Sequence, residues 1–233
     1  LNNSLQLALY LVLPIVATFI ILRLPIIRLA YGTGAFDWRG TILTAWCLAL
    51  LAVSVIGQTL AQILLRAFYA LKETWLPLLA ISVGIVLNVL FAYLLTNFFS
   101  HYYDWRPILE QMVLQITHAN GGGFLQVLGS FALDIVRWST TRGDSDMGVG
   151  GLSLSLSITY LVQTVMLGTL LNRKWQILSW EETVAPALTK ILNTILMCIG
   201  MYFVFKLFDF QLDTTRTISI IILTIVTSLY GIA

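Results

Sequence analysis

Six side chains stand out because their chemistry conflicts with their surroundings. Arg23, Arg28, Gln58, Gln62, Asn88 and Lys190 lie in or beside long apolar runs. A polar group in hydrocarbon is costly, so it normally faces protein or a water-filled path. The chemistry open to this set is binding through charge and hydrogen bonds. Gln58 and Gln62 are four apart and share a helical face. Lys190 lies one turn into its run, with Asn193 and Thr194 on the same face. It either snorkels to the interface or joins a polar cluster. Arg23 and Arg28 flank Leu24-Pro25-Ile26-Ile27. They either anchor that segment at a membrane boundary or contact phosphates of lipid or substrate. Asn88, near the middle of its run, serves either packing or a polar site. A further stripe, Gly151, Ser155, Thr159 and Gln163, suits close helix approach or the lining of a cavity.

Covalent chemistry finds no matching pattern. His101 and His118 have no partner at metal-ligand spacing. Glu181-Glu182 fall in a connection. Cys47 and Cys198 sit in apolar stretches, where a lone thiol acts as a small hydrophobe, and show no redox or metal spacing. The sequence has no Walker motif and no nucleophile elbow. The expectation is a protein that is not an enzyme and has no cofactor and no metal.

The elements that carry these residues follow from composition. Of 233 residues, 58% are hydrophobic and only 10% charged. Soluble domains run near 25% charged. So little charge cannot coat a globule, which excludes a soluble enzyme, a disordered tail and a nucleic-acid binder. A bilayer core of roughly 30 Å needs about 20 apolar helical residues. Charge-poor windows of that length are 5–22, 40–65, 74–100, 147–172, 183–205 and 217–233. Pro14 lies inside the first window, where a kink is expected. Asp37 is placed to cap the second, and Thr74 and Pro77 suit the first turn of the third. The fold class expected is an all-α polytopic membrane protein, with six transmembrane helices plus two amphipathic interfacial helices in a long loop. That loop is 101–146, with amphipathic stretches 107–118 and 124–138 joined by Gly121-Gly122-Gly123. Those stretches either lie on the membrane surface or pack on the protein's own outer face. Basic residues near the span ends divide five against five between the two sides, so charge does not set the orientation. The first residue is Leu1, which leads us to expect a piece of a longer protein with helices upstream.

Two ordered blocks carry a family resemblance. The first is Leu13-Pro14, then Pro25-Ile26-Ile27-Arg28-Leu29, then Tyr31-Gly32-Thr33-Gly34-Ala35-Phe36-Asp37. The second is Arg66-Ala67-Phe68-Tyr69-Ala70-Leu71-Lys72-Glu73-Thr74, then Pro77 and Asn88. Gly150-Gly151-Leu152-Ser153-Leu154-Ser155 and Asn172-Arg173-Lys174 extend it. The pattern resembles the MurJ/MviN family, lipid II flippases of the MOP transporter superfamily. The sequence departs from that family at three points. The 101–146 loop is normally short, Glu73 replaces an Asp, and Ala92 stands where a cation site of some relatives has a carboxylate.

The resemblance implies that these are the family's last six spans, in a bacterial cytoplasmic membrane. It places 66–74 and 172–182 in the cytoplasm and the long loop outside. It implies an undecaprenyl-linked peptidoglycan precursor, lipid II, as the partner moved by alternating access, alongside membrane lipids and no nucleic acid. Spans five and six would form the family's groove for the lipid tail. Within that reading Arg23, Arg28, Gln58, Gln62, Asn88 and Lys190 are candidate substrate contacts. The alternatives are another MOP-type exporter of lipid-linked polysaccharide or small molecules, or a non-transporting scaffold acting through the loop. Loop deletion separates the last from a transporter.

Overall fold

In hydrocarbon no water can satisfy a backbone amide, so an apolar run must close its hydrogen bonds within itself. The computed structural model describes residues 1–31, 37–102, 107, 110, 113, 133–175 and 185–211, and the described runs are helical. The helices are α1 (Asn2–Ile21), α2 (Arg23–Tyr31), α3 (Trp38–Ala70), α4 (Trp75–Ser100), α5 (Gly148–Trp175) and α6 (Ala185–Gln211). Five of them, all but α2, are long and apolar enough to cross a membrane. The chain is a multi-pass membrane protein. Window 217–233 lies outside the described residues. So do the loop stretches 107–118 and 124–138, apart from residues 107, 110, 113 and 133–138. The last of these belong to a short helix over 133–140.

Helix ends differ from the apolar windows because charge ends a window without breaking a helix. The 33 residues of α3 span about 50 Å, well beyond a bilayer core of roughly 30 Å. Its ends carry Trp38 and Arg39 at one side and Arg66 and Tyr69 at the other, groups suited to the headgroup layer. α5 likewise runs on through Arg173 and Lys174, whose charges favour a helix C-terminus. The Arg23–Arg28 segment, read from sequence as a connection, is helical as α2. α1 continues through Pro14. Proline supplies no N–H, so Tyr10's carbonyl receives no bond from position 14. Asp37 caps α3, its Oδ1 accepting Trp38 N–H at 2.7 Å.

The α3–α4 turn has a definite geometry. Lys72 adopts φ 58°, the left-handed region. Its N–H donates to Tyr69 O, and Glu73 N–H donates to Phe68 O, each at 3.0 Å. These two bonds are the Schellman closure, in which glycine is the usual residue at the left-handed position.

The chain divides into two units, one of Leu1–Ile85 with Ser157–Ala233, the other Val86–Leu156. In the first, Leu5, Ala61, Leu64, Phe68, Ala80, Leu167 and Leu171 form a buried core drawn from α1, α3, α4 and α5. α3 and α5 meet closely at Gly57, where an added Cβ would lie 2.8 Å from the Tyr160 backbone. Two hydrogen bonds fix that meeting. Ser157 Oγ donates to Leu50 O at 2.5 Å, and Thr164 Oγ1 donates to Gly57 O at 2.7 Å. Donors and acceptors are both seven residues apart, two turns on each helix. The Gly151, Ser155, Thr159, Gln163 stripe is buried along its length and continues through Leu167 and Leu171. Gln163 and Thr159 lie against Gly84.

In the second unit, the chain re-entering from the loop is tied to the end of α4. Tyr93 Oη donates to Thr140 O, Asn97 Nδ2 to Ser139 O, and Gly143 N–H to Ser100 Oγ. His101 stacks on the buried Trp138. Gly151 meets Thr96 and Leu95, a Cβ there falling 2.4 Å from Thr96 N.

Two substitutions test this packing by unfolding the purified chain in mixed micelles. Gly57→Leu drives a side chain into the α5 backbone and is expected to cost about 2 kcal/mol or more. Lys72→Gly relieves a left-handed lysine and is expected to stabilise by up to about 1 kcal/mol.

Candidate functional site

An open groove in the first unit lies along α1 and α6. Its volume is about 530 Å³. One wall is α1, with Leu9, Tyr10, Leu11, Leu13, Pro14 and Ile15. The other is α6, with Lys190, Asn193, Thr194 and Met197. The wall from α1 is apolar because its whole run is; the polar set on α6 arises from the spacing 190, 193, 194, which keeps one face. Sequence spacing alone left the cluster open, and the groove brings its members together.

Lys190 is half-buried and holds a specific contact. Its Nζ donates to the Gln6 backbone O at 2.7 Å and to Gln6 Oε1 at 2.6 Å. Thr194 Oγ1 donates to Lys190 O at 2.8 Å. Gln6 and Lys190 are the fifth and sixth residues of their helices, so the lysine bridges α1 and α6 near their starts. Neither simple snorkelling nor an isolated charge describes this arrangement. Gln6 was not among the sequence candidates. Its signal was that of a polar side chain within the first apolar window.

The other candidates lie elsewhere. Arg28 is half-buried, its guanidinium 4.7 Å from the Trp38 ring centroid, a cation–π contact between α2 and the start of α3. Arg23 is half-buried at the start of α2. Gln58 is half-buried and Gln62 exposed on α3. Asn88 is half-buried on α4, in the second unit. Of the six, the groove takes in Lys190 among the described residues.

The motif residues fall mainly at the α3–α4 turn, and there they pack. Phe68 and Pro77 are fully buried. Phe68 meets Trp175 edge-on, ring centroids 6.0 Å apart. Glu73 pairs with Lys174, whose Nζ also lies 4.7 Å from the Trp175 ring centroid. Tyr69, Ala70, Leu71, Lys72 and Thr74 are exposed at this end. Tyr69, Thr74 and Trp75 edge a shallow cleft with Leu78 and Ile81. Asp37 is the α3 cap, while Gly34, Ala35 and Phe36 lie outside the described residues.

The turn's stability should therefore rest on its ring packing. Phe68→Ala is expected to cost about 3–5 kcal/mol. Glu73→Gln removes an ion pair whose side chains are 29% and 45% exposed, and is expected to cost under about 1 kcal/mol. Denaturant unfolding of both variants in micelles checks the contrast.

The comparisons with known proteins point one way. The family model described as "Lipid II flippase MurJ" matches residues 1–103. A "Probable lipid II flippase MurJ" of Rhizobium meliloti (strain 1021) is 27% identical over 88 residues, covering 38% of this chain and 16% of that protein. A "Probable lipid II flippase MurJ" of Rhizobium tropici is 24% identical over 210 residues, covering 87% of this chain and 36% of that protein. The chain thus spans about a third or less of the relatives' length. No solved structure matches. The matched residues hold α1, α2, α3 and α4, with the proline-bearing first helix, the Asp37 cap and the Phe68–Pro77 turn described above. Residues 1–103 of this chain are thus similar to the lipid II flippase MurJ family.

Proposed function

We propose that these helices are the C-terminal part of a lipid II flippase in a bacterial cytoplasmic membrane. The observation that carries this reading is the family match over 1–103, which falls on a helix order suited to a multi-pass membrane protein. The transported molecule is an undecaprenyl-linked peptidoglycan precursor. Its head group crosses by alternating access while its lipid stays in the bilayer, so no bond need be made or broken. The partners of these helices are further helices of the same protein, upstream in sequence.

Within this reading the candidate contacts take different roles. Arg28, held against Trp38, anchors α2 at the interface. Arg23, Gln58, Gln62 and Asn88 remain candidates for contact with the substrate head group or the upstream helices. Lys190 joins α1 to α6.

Depletion of the full-length protein in its host tests the function. Lipid II is expected to accumulate on the inner leaflet, read by its accessibility to an externally added probe. Unchanged arrival at the outer leaflet sinks the proposal. The loop supplies a second test. Because 133–145 is tied to the end of α4, removal of all of 101–146 would also unfasten that helix end. Deletion of 104–131 alone is expected to leave flipping intact. Loss of flipping in a folded deletion protein would favour a scaffold that acts through the loop.

A further inference from the structure

We infer that the α1–α6 groove holds an anionic bilayer phospholipid, its phosphate on Lys190 and one acyl chain along Leu11, Ile15 and Met197. The occupant is an ordinary lipid of the membrane, distinct from any transported substrate, and the argument does not depend on the flippase reading.

The first observation is a charge without a counter-charge. Among the described residues, Lys190 Nζ is held by the two neutral oxygens of Gln6. A half-buried ammonium at membrane depth carries a desolvation cost that neutral acceptors offset only in part. It has three donors, and Gln6 takes two. The second observation is position. Lys190 is the sixth residue of α6, about 8 Å along the helix axis from its start. Where a helix starts at the outer edge of the headgroup layer, that distance reaches the boundary of headgroups and hydrocarbon. The third is the groove itself. Its volume of about 530 Å³ falls within the roughly 300–1,000 Å³ of small-molecule sites. Its polar groups cluster on α6, while α1 supplies an apolar wall. An amphiphile with one negative head and a hydrocarbon chain matches that division, and a soluble anion does not. A zwitterionic lipid offers a phosphate but brings its own cation, so it leaves the lysine's net charge uncompensated.

The test uses the purified full chain in neutral detergent, titrated with phosphatidylglycerol, phosphatidylcholine or inorganic phosphate, with bound lipid counted by native mass spectrometry. Phosphatidylglycerol is expected to bind about fivefold more tightly than phosphatidylcholine, the size of one basic side chain's interaction with an anionic surface. Lys190→Met is expected to erase that preference, and Lys190→Arg to keep it. Leu11→Trp, at an exposed groove position, is expected to weaken both lipids equally, which keeps the proposal testable if Lys190→Met fails to fold. Inorganic phosphate is expected not to displace the lipid. Equal binding of both lipids to the wild type overturns the inference. So does a preference that survives in Lys190→Met, or full displacement by phosphate. Glu181 and Glu182 stand nine and eight residues before Lys190. A lipid preference that appears only in Glu181→Gln/Glu182→Gln would give the counter-charge to those carboxylates, and would also overturn it.

Discussion

The constraint on which the structure rests is that a membrane helix uses its own backbone donors internally. Each N–H is committed to a carbonyl four residues back, but each carbonyl oxygen keeps a second lone pair. The polar links between helices draw on that remaining capacity. Ser157 and Thr164 of α5 donate to the Leu50 and Gly57 carbonyls of α3, and Lys190 of α6 donates to the Gln6 carbonyl of α1. Such bonds average about 0.6 kcal/mol in a membrane bundle. Their strength is modest; their effect is to choose which helix faces meet, and at what height. Small residues make this possible, since only a Gly57 lets the Tyr160 backbone come near enough for Thr164 to reach across.

The turn between α3 and α4 shows what a sequence motif can encode. The Phe68–Pro77 stretch reads from sequence as a family mark with a charged centre. In the structure its fixed points are the aromatic and proline positions, while Lys72 supplies a backbone shape and Glu73 a partly exposed pair. The turn is held by rings and a helix closure, and the charges sit where headgroups and water screen them.

Membrane-length helices were legible because 10% charge leaves long uninterrupted runs, and the buried stripe on α5 was legible because small and polar residues recur every fourth position. Helix ends were less so. Arg39, Arg66 and Arg173 mark where charge-poor windows stop, which is not where a helix stops. The groove was half legible. Lys190, Asn193 and Thr194 declare a shared face by spacing, but their partner Gln6 lies 184 residues away in sequence. No local pattern announces a pairing across that distance. Likewise Ser157 and Thr164 look like ordinary helix residues until the α3 carbonyls opposite them are known.

The two bonds from α5 to α3 have a mechanical meaning. Contacts two turns apart oppose both rolling and sliding of one rod on another, so α3 and α5 are held in register. α1 and α6 also pack against each other, and the Lys190 side chain ties them near their starts, beside an open groove. The first pair of helices is therefore fixed in register by two ties, the second in height by one, with the apolar packing around it setting the rest.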